Sequence, residues 1–175
     1  MNSNKTLKMV LAAVFCALVY TMTWIAIPAP SVGNINLGDC MVILCALILG
    51  NSYAVFAAGV GAMLCDIASG YTIYAPATFV IKALMVVVIL IMKKKIFKSD
   101  KYISLVIPGI FAEVLMIAGY FIYEATALGY GMGAIMNAPF NLIQGVANLI
   151  VAVLLYTMLK KTGLVKVITE SVNKK

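Results

Sequence analysis

Residues 93–101 read KKKIFKSDK and separate two long apolar runs of the sequence. Lysine clusters again at both ends of the chain, with Lys5 and Lys8 at the start and five lysines within residues 160–175. The stretches between these clusters are rich in apolar residues and poor in charge. The lysines therefore divide the chain into apolar blocks, and the number of helices in each block determines the fold.

The composition indicates a protein of the lipid bilayer. Of the 175 residues, 64% are hydrophobic and 11% are charged, far from the balance of soluble domains. A hydrocarbon core about 30 Å thick requires about 20 apolar residues of helix, and several segments approach that length. Residues 7–27 are too long for a signal-peptide core and are followed by no clear cleavage site, so we interpret them as a retained helix.

The apolar segments predict an all-α membrane protein with one domain, residues 1–175. Gly50, Asn51 and Ser52 interrupt the first block, and without this break residues 41–65 would be one helix and the total would be five. The predicted helices are residues 7–27, 37–49, 53–69, 76–92, 103–123 and 137–159.

The lysines favour six helices over five. With six, every lysine except Lys82, twelve of thirteen, lies on one side of the membrane, as expected for cytoplasmic segments. With five, two of the three clusters would face the opposite side from the first. We therefore predict a multi-pass plasma-membrane protein with both termini in the cytoplasm. The formal charge of +7 is attributed to topology rather than to nucleic-acid binding. The short second helix should be tilted or partly covered by protein.

Three ionisable residues fall inside apolar segments, where charge is costly and usually functional. Asp66 and Lys82 are interpreted either as a salt bridge or as a site where Lys82 contacts ligand, directly or through the pair. Glu113 is predicted near mid-depth and accepts hydrogen bonds either from a polar ligand or from a partner in the bundle. Glu124 is expected to be solvated.

Asn137, Asn141, Gln144 and Asn148 recur at spacings of three and four, which place them on one face of the sixth helix. In lipid this polar stripe must face the bundle. Interhelical amide bonds are one interpretation, and contact with a small polar ligand is the other. We favour the three residues nearest the outer opening, Asn137, Asn141 and Gln144, as ligand contacts.

Several other residues are interpreted structurally. Asp39 is expected to cap the second helix or to anchor the preceding loop. The aromatic residues near the outer helix ends are expected mainly in an interfacial belt, with one or two available to stack on a heterocycle; they are Trp24, Tyr71, Tyr74, Tyr120 and Tyr123. The four cysteines have no metal or redox spacing, and the chain has no histidine, so we expect no metal, no cofactor and no catalytic residue.

Three motifs and one spacing carry a resemblance. They are NLGD at residues 36–39, AMLCDIASG at residues 62–70, YAPATFVIK at residues 74–82, and Ala13 with Ala17 one turn apart on the first helix. Together with six predicted helices, these features resemble the substrate-binding S component of energy-coupling factor (ECF) vitamin transporters. The riboflavin and hydroxymethylpyrimidine transporter-like group is the most similar.

The resemblance implies a transport subunit rather than an enzyme. Such a subunit captures a vitamin or precursor from outside, while a transmembrane coupling protein and two cytoplasmic ATPases supply energy. The chain itself has no GxxxxGK[ST] phosphate loop. The resemblance also implies that Ala13 and Ala17 dock the coupling protein. Residues 28–36 are expected to form a lid, with Asn36, Asp39 and Asp66 in gating or structural roles.

Residue types give only hints about the substrate. Glu113 and the amide stripe suit hydroxymethylpyrimidine or a vitamin B6 form, with riboflavin second, whereas Lys82 would suit an anionic group such as that of pantothenate. The competing function is a proton-coupled secondary transporter of a small polar solute, with Asp66 or Glu113 as the protonation site. The small size and the lack of an evident inverted repeat argue against it.

Overall fold

The computed structural model describes residues 3–28, 34–96 and 102–173. The predicted all-α class is confirmed, because helices account for nearly all of these residues. Two short strands and a 3-10 helix complete the fold. The elements are α1 (Ser3–Trp24), β1 (Ala26–Pro28), β2 (Asn34–Asn36), α2 (Gly38–Leu49), α3 (Ser52–Ala68), α4 (Ala75–Lys95), α5 (Ile103–Thr126), the 3-10 helix (Gly131–Asn137), α6 (Ala138–Lys161) and α7 (Leu164–Asn173).

Among the described residues, four helical stretches are long and apolar enough to cross a membrane: Lys5–Trp24 of α1, α4, α5 and the combined stretch Gly131–Lys161. The two shorter apolar helices are α2, with 12 residues, and α3, with 17. At 1.5 Å per residue α2 is about 18 Å long, well short of a hydrocarbon core of about 30 Å. By length and composition, four helices therefore qualify as spans rather than the predicted six.

The predicted break between the second and third helices is confirmed. Gly50 ends α2 in the left-handed conformation, with φ of 63°, and its N–H donates to the carbonyl of Ala46 at 3.1 Å. Asn51 then begins α3, because its Oδ1 accepts from the N–H of Tyr53 at 2.9 Å. A glycine in this conformation, followed by a side-chain cap, is a strong signal that one helix ends and another begins. A single helix through residues 41–65 is therefore excluded.

The short helix α2 lies at the centre of the bundle. All of its residues except Met41 are buried, and it contacts α1, α3, α4, α6 and α7. Protein therefore surrounds α2, as its length led us to expect. A close contact between α1 and α3 encloses one side, because the position of a Cβ on Gly61 would be only 2.5 Å from the backbone oxygen of Cys16. The small residues of α3 are thus used for internal packing.

Two elements were not predicted. The first is an antiparallel hairpin that pairs Ala26 with Asn36 and Ile27 with Ile35. It occupies the ends of the segment predicted as a lid, of which residues 29–33 lie outside the described residues. The second is α7, which follows Gly163 and buries Val165 and Val172 against the bundle, in contact with α1, α2 and α6. We counted this segment only as part of the lysine cluster within residues 160–175.

Candidate ligand-binding site

A cavity that is partly open to solvent lies at one end of the bundle, and its empty space of about 890 Å³ includes the open solvent at its mouth. The C-terminal ends of α1, α3 and α5 meet the N-terminal ends of α4 and α6 here, together with the hairpin. The lining residues are Thr23, Trp24, Ala26, Ile35, Asn36, Cys65, Asp66, Ser69, Tyr71, Tyr74, Thr78, Lys82, Tyr120, Glu124, Phe140, Asn141 and Gln144.

Lys82 lines the cavity and forms a buried ion pair with Asp39, which lies behind the lining. Of the two interpretations of Asp66 and Lys82, the salt bridge between them is therefore wrong: the start of α2 packs against α4 and brings Asp39 to the lysine. The Lys82 ammonium also lies 5.3 Å from the centre of the Tyr120 ring, within cation–π range. The charge of Lys82 is thus already compensated by protein groups.

Asp39 does not cap α2. The capping position is Leu37, which makes no side-chain cap hydrogen bond. Asp39 lies in the first turn and uses its carboxylate differently: one oxygen accepts from Lys82, and Oδ2 accepts from Nε2 of Gln144 at 2.8 Å. The capping interpretation is wrong because two donors from α4 and α6 reach this carboxylate.

Two amides of the predicted polar stripe hold the junction between β2 and α2. Gln144 Oε1 accepts from the N–H of Asn36 at 3.0 Å, and Asn148 Oδ1 accepts from the N–H of Cys40 at 2.7 Å. Asn148 also donates to the carbonyl of Asn36 at 2.8 Å. Backbone N–H groups at the start of a helix lack intrahelical partners. Here the side chains of α6 provide the missing hydrogen-bond partners. For Gln144 and Asn148, the hydrogen bonds in the structure therefore agree with the interpretation that the polar stripe bonds to neighbouring elements of the protein.

Glu124 is buried at the outer part of the cavity, with 4% of its surface exposed, so our expectation of a solvated side chain is wrong. Its Oε2 accepts from Nδ2 of Asn137 at 2.9 Å, and its Oε1 accepts from the Tyr74 hydroxyl at 3.4 Å. Asn137, a predicted ligand contact, lies behind Glu124 rather than in the lining. The return of the chain through the 3-10 helix brings Asn137 over the end of α5 and covers the carboxylate.

Asp66 offers an unused acceptor to the cavity. Its Oδ2 is buried and has no hydrogen-bond partner within residues 3–28, 34–96 and 102–173. The Asn141 amide also lines the cavity, and nearby the Thr78 and Tyr120 hydroxyls are 3.0 Å apart. A buried polar atom without a partner is costly, and a ligand N–H or O–H group would satisfy it.

Glu113 lies outside this cavity. Both of its carboxylate oxygens are buried and have no hydrogen-bond partner among the described residues. It faces α6 at Gly145, where the position of a Cβ would be 3.0 Å from Glu113 Oε2. The structure thus brings Asn36, Asp66, Lys82, Asn141 and Gln144 together in the lining, while Asp39, Glu113 and Asn137 lie behind it.

Aromatic residues form much of the remaining lining. Trp24, Tyr71, Tyr74 and Tyr120 were expected mainly in an interfacial belt, and all four face the cavity. Phe140 and Thr78 also line it and were not singled out. The signal in the sequence was the collection of aromatic residues at one set of helix ends. That pattern is common to belts and pockets, so only the convergence of helices distinguishes them.

Comparison with known proteins gives two matches. The family model for the ECF-type riboflavin transporter, S component, matches residues 3–161, nearly the whole chain. An uncharacterized protein in the gap 3′ region of Pyrococcus woesei is 31% identical over 146 residues, covering 83% of this chain and 95% of that protein. With its apolar helices and cavity, the chain belongs to the family of ECF transporter S components, membrane subunits that bind vitamin-type substrates for transport and are not enzymes.

Proposed function

We propose that this protein captures a water-soluble vitamin from outside the cell in the cavity beside Asp66 and delivers it as the S component of an ECF importer. The observation that carries the proposal is Oδ2 of Asp66, which is buried in an aromatic-lined cavity and has no hydrogen-bond partner in the described part of the chain. Asn141 is the second proposed polar contact with the ligand. Lys82 and Gln144 hold the cavity wall in place through their hydrogen bonds to Asp39. Glu113 and Asn137 have no direct contact with the ligand in this proposal.

The charges of the cavity favour a neutral ligand rich in hydrogen-bond donors. Lys82 is compensated by Asp39, whereas Asp66 and Glu124 add two carboxylates to the lining. An anionic ligand such as pantothenate would meet these carboxylates without a free cation to balance it. An N–H or O–H donor would instead complete the hydrogen bonding of Asp66.

Riboflavin is the first proposed substrate. Its flat ring system suits stacking on the aromatic side chains of the lining, which are Trp24, Tyr71, Tyr74, Tyr120 and Phe140. The matching family model is also named for riboflavin transporters. Hydroxymethylpyrimidine or a vitamin B6 form is the second choice, because the amino and hydroxyl groups of these smaller rings would also reach Asp66.

Trp24 provides a direct test, because it is the only tryptophan of the chain and it lines the cavity. We expect riboflavin to quench the fluorescence of the purified protein saturably and to raise its unfolding temperature. Pantothenate should do neither. The variant Trp24→Phe should lose the optical signal but keep a thermal shift. If riboflavin, hydroxymethylpyrimidine and pyridoxine all fail to stabilise folded protein, the proposal is wrong.

We further propose six membrane-crossing helices, with both termini in the cytoplasm. In this arrangement α2 and α3 complete the bundle from within, which is supported by the burial of α2. The vitamin cavity then opens outward, since the lysines at the end of α4 and the cavity residues at its start lie at opposite ends of one helix. A coupling protein and two ATPases supply energy in this proposal.

Docking of the coupling protein is proposed at Ala13 and Ala17. Both are exposed on α1, beside the exposed Val14 and Leu18, so a helix of another protein can approach closely. We expect Ala13→Trp with Ala17→Trp to abolish co-purification of the coupling protein and to leave vitamin binding intact. The control is Val114→Trp with Ala118→Trp, on an exposed face of α5. Equal capture by both variants would contradict this docking site.

The competing function has its own test, which is uptake by this chain alone. Uptake that is driven by protons and independent of ATP would favour a proton-coupled secondary transporter.

A further inference from the structure

Glu113 lies in the interior of the bundle and has no part in the proposed capture of the vitamin. The residue is 5% exposed, and both of its carboxylate oxygens are buried without a hydrogen-bond partner in the described ranges of the chain. An ionisable group in this position is costly, and such residues are usually functional. The vitamin cavity does not account for Glu113, because the residue lies behind the lining.

Glu113 faces residues of the neighbouring helices. Its carboxylate lies against Gly145 of α6, where the position of a Cβ would be 3.0 Å from Oε2. The preceding residue of α6, Gln144, donates to Asp39 of α2. Asp39 and Lys82 both interact electrostatically with Glu113. The packing of α2, α4, α5 and α6 therefore brings two carboxylates close to one lysine.

Lys82 uses these two carboxylates unequally. Asp39 accepts a hydrogen bond from the ammonium, whereas Glu113 interacts with it through charge alone. The ammonium also lies 5.3 Å from the centre of the Tyr120 ring. Tyr120 follows Glu113 by seven residues, so both lie on one face of α5. Lys82 is thus beside the face of α5 that carries Glu113, and its flexible four-carbon chain can turn toward that carboxylate.

Asp66 is a competing acceptor, because it also interacts electrostatically with Lys82. Its position is different, however. Asp66 is half-buried and lines the cavity, whereas Glu113 is buried behind the lining. In the proposed function the ligand engages Asp66. Glu113 is therefore the carboxylate that stays available to Lys82 while the cavity is occupied.

We propose that Glu113 is the alternate acceptor of Lys82. When Asp39 moves away from the lysine, the ammonium turns to Glu113 and keeps a partner inside the bundle. Helix α2 can then move relative to α4 and α5 without leaving an uncompensated charge, which is the main cost of breaking a buried ion pair. The exchange of partners does not depend on the identity of the ligand, whereas its use during vitamin release rests on the proposed function.

A double-mutant cycle in the purified full chain tests this exchange. Glu113→Gln is compared in the parent chain and in Asp39→Asn, which withdraws the present acceptor at nearly constant size. In the parent chain, Glu113→Gln should not favour unfolding, because Lys82 is paired with Asp39. In Asp39→Asn it should raise the equilibrium constant of unfolding at least about tenfold, the effect of losing a hydrogen bond to a charged group. Chemical unfolding in mixed micelles measures all four proteins.

Asp66→Asn is the matched comparison, because Asp66 also has a buried oxygen without a partner among the described residues. Its effect on unfolding should agree within about threefold in the two backgrounds. Equal effects of Glu113→Gln in both backgrounds would overturn the proposal. A larger dependence on the background for Asp66→Asn would also overturn it, since the lysine would then turn to the cavity.

Lys82→Arg provides a second background if Asp39→Asn does not fold. The substitution keeps the positive charge, and a guanidinium group has five donors, enough for both Asp39 and Glu113. Glu113→Gln should favour unfolding at least about threefold more in Lys82→Arg than in the parent chain. The absence of this difference would contradict the proposal as well.

Discussion

The ionisable side chains inside the bundle are satisfied to very different degrees. Asp39 and Lys82 neutralise each other, and Gln144 completes the hydrogen bonding of the carboxylate. The half-buried Asp66 and the buried Glu113 instead keep buried oxygens that have no partner in the described ranges. Of these two residues, only Asp66 lines the vitamin cavity. A buried oxygen without a partner is costly, so a ligand donor at Asp66 Oδ2 gains more than it would at the surface.

A matched pair of amide substitutions separates the two unpartnered carboxylates. Asp66→Asn should weaken vitamin binding about ten- to a hundredfold, the effect of losing a hydrogen bond to a charged group of about 1.5–3 kcal/mol. Glu113→Gln should leave the dissociation constant within about threefold, because Glu113 does not line the cavity. Titration of Trp24 fluorescence measures both. The opposite ranking would restore Glu113 as the ligand contact.

Breaking the buried ion pair should destabilise the protein more than removing it altogether. Lys82→Met leaves Asp39 buried with Gln144 as its remaining partner, and we expect a loss of about 3–5 kcal/mol in the free energy of unfolding. Lys82→Met combined with Asp39→Asn should be more stable than Lys82→Met alone, since no uncompensated charge remains. Chemical unfolding in mixed micelles provides the measurement. A double variant less stable than the single one would argue against this compensation.

At the scale of elements, small residues and amides determine how the helices approach one another. Gly61 lets α3 lie directly against the backbone of α1 at Cys16. Gln144 and Asn148 of α6 bind the backbone where β2 leads into α2, so the hairpin and the central helix share one anchor. The cavity wall is therefore built by contacts between elements distant in sequence. Any change in these contacts alters the site indirectly.

Gly61→Ala should weaken the contact between α1 and α3. The added methyl group would lie 2.5 Å from the Cys16 carbonyl oxygen and 3.0 Å from Cβ of Val19, and backbone cannot move aside as a flexible side chain can. We expect a loss of about 1–3 kcal/mol in the free energy of unfolding. Gly133→Ala is the control, because no atom lies within 4 Å of the position that its Cβ would take, and its stability should change by less than about 0.5 kcal/mol. Thermal unfolding in detergent measures both stabilities. Equal changes in the two variants would contradict this packing.

At the scale of the whole molecule, two cavities of opposite character lie at opposite ends of the same three helices. Carboxylates, amides and aromatic rings surround one, and lysines and tyrosines surround the other. Helices α4, α5 and α6 contribute to both, and α5 runs in the opposite direction along the chain. In the proposed orientation, the vitamin cavity lies at the outer end of these helices and the lysine-lined cavity lies at the inner end.

Labelling with a membrane-impermeant maleimide tests this orientation. The exposed positions Met132 and Lys95 lie near opposite ends, and the parent chain provides the background, since its four cysteines are buried or half-buried. Met132→Cys should react in intact cells, and Lys95→Cys only after the membrane is permeabilised. Reaction of Lys95→Cys in intact cells would contradict the orientation and the outward-facing vitamin cavity.

Hydropathy and charge along the chain were sufficient to predict the helical class and the break at Gly50 and Asn51, whereas short sequence motifs carried the resemblance to S components. These features are local, because a helix in lipid must be apolar over its own length and Gly50 ends α2 through its own backbone conformation. The hairpin and α7 were missed, since strands of three residues and a charged amphipathic helix give no apolar run.

The sequence by itself determined which segments are helical, where lysines gather, and which polar residues must face the bundle. Only the tertiary structure decided the partners of those residues: Lys82 with Asp39 rather than Asp66, and Glu124 under Asn137 rather than in solvent. The physical reason is that periodicity specifies the face of a helix, whereas ion pairs and cavities depend on the rotation and depth of neighbouring helices. Asp39 and Lys82 are 43 positions apart in sequence, and helix packing brings them together.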